Sequence, residues 1–133
     1  MMDTATRTQV WHRAEGHCEY CRIHQDHVEL RHHIEHIVAR KHGGLDDPSN
    51  LCVACARCNL FKGSDLTGID PLTGQVERLF HPRVQEWADH FELRGPLITG
   101  LTPTGRATVR VLSMNAGQRL QLRAALIAHG HFP

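Results

Sequence analysis

Between residues 4 and 66 the spacing of apolar positions shifts from helical to alternating and back. In "TATRTQVWHRAE" (4–15) Val10 and Ala14 lie four apart with Trp11 beside them, the spacing of a short amphipathic helix that Gly16 stops. "CEYC" (18–21) follows as a tight turn. Across "VELRHHIEHIVAR" (28–40), Val28, Leu30, Ile34 and Ile37 interleave with polar residues, which predicts a strand bent near His36. "KHGGLDDPSN" (41–50) is a loop by its Gly-Gly, Asp-Asp-Pro, Ser and Asn. "LCVAC" (51–55) predicts a second short strand and "NLFKGSDL" (59–66) a short helix.

Further on, "IDPLTGQ" (69–75) is turn-rich. "PRVQEWADHF" (82–91) predicts a helix with Pro82 in its first turn and Val84, Trp87, Ala88 and Phe91 on one side. "GPLITGLTPTGRATVRVL" (95–112) predicts two strands around a "TPTG" turn. Asn115 is the expected cap of a last helix with the apolar stripe Leu120, Ala124 and Ile127, and Gly130 follows its end. Arg119 and Arg123 lie four apart on another face of that helix, where like charges repel unless something anionic lies across them. There is no internal repeat and no low-complexity linker. The pattern describes an α+β protein, with Trp11, Trp87 and Phe91 as core residues.

Composition narrows the class without naming a function. The 133 residues are 41% hydrophobic and 22% charged, as in one ordinary globular domain. No apolar run approaches the roughly 18 residues that a membrane span needs, so no membrane partner is expected. "MMDTATRTQVWHRAEGH" has neither the apolar core nor the cleavage site of a secretory signal. Five cysteines without such a signal point to a reducing, cytoplasmic setting, where C-x-x-C pairs hold metal more often than disulfides. The net charge of +1 conceals segments of alternating sign. Residues 31–62 carry five Lys/Arg against three acids, and residues 101–133 carry four Arg and no acid. These two segments suit a polyanion; residues 1–30 and 63–100 are net acidic.

Cysteine spacing carries the first specific chemistry. "CVACARCN" (52–59) holds three cysteines at equal spacing, so Cys52/Cys55 and Cys55/Cys58 both form a knuckle. Taken with Cys18 and Cys21, the pair Cys55/Cys58 gives two C-x2-C knuckles separated by 33 residues. A two-residue spacer lets both thiolates of a knuckle reach one ion, and two knuckles complete a tetrahedral shell with no open position for water. That is the pattern of a structural Zn2+ site. Buried free cysteines and a redox dithiol are the competing readings, and nothing nearby has the βαβ setting of a thioredoxin-like dithiol.

The stretch "CEYC … HIEHIVARKHGGLDDPSNLCVACARCNLFKG" resembles the HNH endonucleases, the zinc-stabilised branch of the ββα-metal (His-Me finger) nucleases. The positions that carry the resemblance are Glu35-His36, Gly43-Gly44, Asn50, Cys55-x-x-Cys58-Asn59 and Lys62-Gly63. It covers residues 18–66 and leaves 67–133 outside the motif. The resemblance implies a ββα-metal finger core braced by the four-cysteine zinc site. Residues 1–66 then form the nuclease core, and 67–133 a C-terminal helix–β-hairpin–helix extension packed on it. It also selects Cys55/Cys58 as the second knuckle, leaving Cys52 a small buried spectator. This choice puts Asn59 beside a zinc-anchored cysteine and nine residues after Asn50, as in the family.

The implied activity is hydrolysis of phosphodiester bonds in double-stranded DNA with one divalent ion. Such a reaction needs a base that titrates near neutral pH, which suits the imidazole of His36. It also needs a hard cation, Mg2+ or Mn2+, held by few protein oxygens so that phosphate can enter. Glu35, beside the base, and the side-chain carbonyl of Asn59, from the start of the helix, are the implied ligands. The resemblance implies that Asn50 braces the loop and orients His36. Asn59 stands where the family often has His, which implies Mg2+ or Mn2+ over softer ions. His33 shares a strand face with Glu35 and is a further candidate contact for metal or phosphate. Lys62, Arg57 and Arg40 are candidates either for phosphate contact or for a solvated basic face, and His32 and His42 are expected to be solvated. The competing reading from another class is a non-catalytic zinc-knuckle module that binds nucleic acid or protein. It needs the four cysteines but has no use for Glu35, His36 and Asn59 together.

Overall fold

The computed structural model describes residues 2–133, and the fold grows from three short hairpins and five helices. Helix α1, Thr4–Ala14, opens where the Asp3 carboxylate accepts from Thr6 N at 2.7 Å and closes at a left-handed Glu15 followed by Gly16. The first hairpin pairs β1, His33–His36, with β2, Leu51–Ala54, in the register His33↔Ala54, Ile34↔Val53, Glu35↔Cys52 and His36↔Leu51. The strand expected over 28–40 is therefore only four residues long. Its earlier part is tied down by Gln25, whose amide donates to Leu30 O (3.1 Å) and accepts from His32 N (2.6 Å). With its backbone held by a side chain, 28–32 has no strand partner to join.

Helix α2 spans Ala56–Lys62 and starts three residues earlier than the pattern indicates. The knuckle itself is the cap: Cys55 Sγ accepts from Cys58 N at 3.4 Å, taking the place of a capping oxygen. Asn59 consequently lies within the helix and not at its start.

The extension departs further from expectation. A second hairpin joins β3, Thr67–Ile69, and β4, Val76–Arg78. The helix expected over 82–91 shrinks to a single turn, α3, Trp87–His90, and Phe91 already begins a strand. His81 and Gln85 hold the intervening chain irregular. His81 N donates to Gln85 Oε1 (2.9 Å), and His81 Nδ1 accepts from Arg83 N (3.2 Å). The third hairpin is β5, Phe91–Arg94, with β6, Leu97–Gly100, and turns at Gly95 (φ +56°) instead of at "TPTG". That segment is the start of helix α4, Pro103–Val111: Thr102 Oγ1 caps Gly105 N at 3.0 Å and Pro103 takes the first helical position. Helix α5 spans Gly117–Ala128 behind Ala116, while Asn115 reaches across to the backbone of Ile98 (3.0 and 2.9 Å). Its inward residues are Arg123 and, half-buried, Arg119, Leu120 and Leu126, the last packed against the core; Ala124 and Ile127 are exposed.

Two apolar clusters hold these elements. One face of the first hairpin, Leu51 and Val53, packs with Val10 and Ala14 of α1, flanked by Trp11 and Ile34. The other face, with Cys52 and Ala54, joins the knuckles, Tyr20 and Ile37 to Phe80, Phe91, Ile98 and Leu112 of the extension. Trp87, half-buried, completes this contact by donating Nε1–H to Tyr20 O at 2.7 Å. The extension is thus built into the same core as the first knuckle. Among the described residues, no helix is long and apolar enough to cross a membrane.

Candidate functional site

The two knuckles converge. Cys18, Cys21, Cys55 and Cys58 are buried, and their four sulfurs lie within 4.8 Å of one another. Cys21 Sγ and Cys55 Sγ are 3.7 Å apart, close to the roughly 3.8 Å edge of a tetrahedron with 2.3 Å zinc–sulfur bonds. Each knuckle folds back on itself: Cys21 N donates to Cys18 Sγ and Cys58 N to Cys55 Sγ, both at 3.4 Å. Without a cation the cluster cannot ionise fully. Burial pushes the Cys18 and Cys58 thiols well up, while hydrogen bonds from Cys18 and its neighbours pull Cys21 down. Four buried soft donors with this charge problem fit a zinc ion. Among the described residues this is the sole group of three or more His, Cys, Asp or Glu able to hold a metal. Cys52 stands apart: it is fully buried, and its Sγ–H points at Glu35 Oε2 (3.4 Å).

The first hairpin divides Glu35 from His36. Neighbouring strand residues point to opposite faces, so the carboxylate does not lie beside the imidazole. Glu35, 5% exposed, turns in towards α2. There Oε1 lies 3.1 Å from the ammonium of Lys62, which is itself 2% exposed and donates to Ile37 O at 2.9 Å. Lys62 is therefore an interior cation and not a surface phosphate contact. Burial raises the Glu35 pKa, and Lys62 opposes the shift. The fit to a hard divalent ion rests on two oxygens. Glu35 Oε1 is buried with the Lys62 ammonium as its neighbour at 3.1 Å, and the Asn59 amide on α2 makes no side-chain hydrogen bond among the described residues. Both are of the oxygen class that Mg2+ or Mn2+ takes.

On the other face, His36 Nε2 sits 2.6 Å from Asp46 Oδ1. Arg40 grips the same carboxylate, with Nε and an η nitrogen 3.2 and 2.9 Å from Oδ1. Hydrogen bonding to His36, then to Arg40, holds the Asp46 carboxyl well below the usual range. An ionised Asp46 only accepts, so Nε2 carries the proton and Nδ1 the lone pair. Asp46 is a site residue the sequence pattern missed, because only the folded loop brings it to His36. Asn50 closes that loop: Oδ1 accepts from Val38 N (2.9 Å), and Nδ2 donates to Val38 O and Leu45 O (3.0 Å each). Gly44 passes so close that a Cβ there would stand 1.7 Å from Val38 O. His33 and His42 are exposed; His32, expected to be solvated, is buried with Nε2 3.1 Å from Ile23 O. Arg57 is exposed and reaches Gln118 Oε1 at 3.2 Å.

Two strands and a helix closed by a four-cysteine cluster, with a histidine on the first strand, define a knuckle-braced ββα finger. The family model for HNH endonuclease matches residues 18–65, which bears out the resemblance over that segment, about a third of the chain. An HNH segment points to nuclease-type or nucleic-acid-binding function. No curated protein and no solved structure matches the chain.

Proposed function

We propose that the chain is a metal-dependent endonuclease that hydrolyses phosphodiester bonds in double-stranded DNA, in a reducing, cytoplasmic setting. The observation that carries this reading is the His36–Asp46 contact at 2.6 Å, inside a loop clamped by Asn50. A carboxylate on Nε2 presents Nδ1 as a base, draws the imidazole into one tautomer and stabilises the imidazolium that forms on proton uptake. His36 takes a proton from water and later returns it to solvent. The hydroxide attacks phosphorus, and the P–O3′ bond breaks as the leaving oxygen takes a proton from water, giving a 5′-phosphate and a 3′-hydroxyl. Arg40 keeps Asp46 ionised and in place, and Asn50 fixes the backbone that follows His36. Glu35 and Asn59 would hold a Mg2+ or Mn2+ ion once Glu35 leaves Lys62 and turns to the His36 face, and that ion would supply charge stabilisation on the phosphate and the leaving oxygen. The four cysteines would hold Zn2+ as a brace without an open position.

A second reading, a non-catalytic zinc-knuckle module that binds nucleic acid or protein, is favoured by the Glu35–Lys62 pair, which already supplies that carboxylate with a cation.

The deciding experiment is a plasmid cleavage assay with Mg2+ or Mn2+. Wild-type protein nicks or cuts, and His36→Ala loses the activity while retaining about one zinc per chain, the stoichiometry of a closed four-cysteine shell. Undiminished cleavage by His36→Ala removes the proposed base. A wild type inert on both DNA and RNA leaves the binding module.

A further inference from the structure

Helix α5 buries charge where an amphipathic helix buries apolar side chains. Arg123 is enclosed and spends its guanidinium on oxygen: Pro96 O at 2.8 Å, Met114 O at 2.6 Å and Asn115 Oδ1 at 3.3 Å. Arg119, one turn earlier, is different. One η nitrogen donates to Leu112 O (2.6 Å) and Ser113 O (3.1 Å). The other donates to sulfur, 3.0 Å from Cys58 Sγ and 3.9 Å from Cys55 Sγ. A cleft of about 340 Å³, lined in part by Ile23, Val28, Arg119 and Leu122, opens beside Cys21 and Cys55. Arg119 lines this cleft together with the two cysteines.

Four thiolates around a dication leave two negative charges in a closed shell, and a buried excess charge is costly unless something is paired with it. Arg119 is the one cationic side chain hydrogen-bonded to these sulfurs among the described residues. We propose that Arg119 is an outer-sphere member of the metal centre. Its cation offsets part of the tetrathiolate charge, and its hydrogen bond to Cys58 raises the affinity for zinc. The residue comes from helix α5, outside the matched segment 18–65, so the extension completes the metal centre of the finger. This holds whether the finger cleaves DNA or only binds it.

Outer-shell partners are typically worth 10- to 100-fold in metal affinity. Full-length Arg119→Gln should bind Zn2+ 10- to 100-fold more weakly in competition with a chromogenic chelator. Arg119→Lys, which keeps the charge but loses the fork, should fall between. Arg123→Gln is the control, since it loosens the same helix and removes a nearby cation that makes no hydrogen bond to sulfur; its zinc affinity should fall by no more than about threefold, less than that of Arg119→Gln. In the Co2+-loaded proteins, loss of the hydrogen bond raises the energy of the sulfur lone pairs, so Arg119→Gln should shift the thiolate-to-cobalt band to longer wavelength. Arg123→Gln should leave it in place. Should Arg119→Gln not fold, the affinity and band of Arg119→Lys decide by the same criteria. Unchanged zinc affinity and band in the Arg119 variants overturn the proposal. Equal weakening in Arg123→Gln also overturns it, since Arg119 would then be only a packing residue.

Discussion

Replacing Lys62 by Met shortens the unbranched side chain by one atom and removes the cation that faces Glu35. In the native protein the ammonium, 2% exposed, lies 3.1 Å from a carboxylate that is 5% exposed. Breaking a buried pair by removing one partner costs about 3–5 kcal/mol. Glu35 limits that cost by taking up a proton, and its carboxyl is already raised by burial. Lys62 opposes the raise, so Lys62→Met pushes the folded-state pKa higher still. The folded variant then binds a proton that the unfolded chain has released. Its stability is greatest below the unfolded-state pKa and falls as pH rises through the window up to the folded value. The slope is at most about 1.4 kcal/mol per pH unit. The loss should therefore be smallest at the acid end of the range and grow towards about 3–5 kcal/mol as the pH rises. At about 2.1 cal/mol/K per residue, the 133 residues unfold with an entropy of about 0.28 kcal/mol/K, so that loss lowers Tm by about 11–18 °C. Thermal melts of the zinc-loaded protein between pH 5 and pH 8 measure it. Glu35→Leu/Lys62→Met, which removes both charges, should recover most of the stability and flatten the pH dependence. A Lys62→Met loss under about 1 kcal/mol, or one equal at both ends of the range, refutes the buried-pair account.

Two further outcomes follow from the loop. Asp46→Asn removes the anion from His36 Nε2 and from Arg40; single-turnover cleavage should slow about 10- to 100-fold, a part of the 10²–10⁴ that a positioned base supplies, with DNA affinity little changed. An unchanged cleavage rate would mean that Asp46 does not position the base. Gly44→Ala meets backbone at 1.7 Å and should cost about 2–3 kcal/mol of stability or more, whereas Gly43→Ala, at φ +88° with open space around it, should cost only about 1–2 kcal/mol of left-handed strain. Chemical denaturation ranks the two, and the reverse order would contradict the close approach of Gly44 to Val38 O.

The sequence pattern predicted best where the determinant is local. Two-residue spacers make knuckles by themselves, and Leu51–Ala54 carries enough apolar content to mark a strand. It did poorly where one side chain sets the backbone of a distant or competing element. Thr102 reads equally well as a turn residue and as a helix cap, and only the folded Gly105 amide settles which. Asn115 resembles a cap but serves Ile98, seventeen positions away. Periodicity in 82–91 looks helical until His81 and Gln85 are seen to bind one another. At the site, alternation alone puts Glu35 and His36 on opposite faces, but it does not reveal that Lys62 waits on one side and Asp46 on the other. The Arg119/Arg123 pair did carry a usable signal, because like charges at that spacing call for an anion, and for Arg119 that anion is sulfur.

The two apolar clusters also divide the chain's tryptophans. Trp11 lies under Arg31 (5.1 Å to the ring centroid) against the α1 cluster, and Trp87 lies under Arg22 (5.0 Å), with its indole N–H on the first knuckle. Each cluster thus carries its own chromophore. Replacing Trp11 by Phe leaves an emission that comes from Trp87 alone and follows the metal-bearing half of the molecule. The complementary Trp87→Phe protein lights up only the hairpin face that α1 covers. Loss of one half before the other would be visible as two separate colour changes on titration with denaturant or chelator.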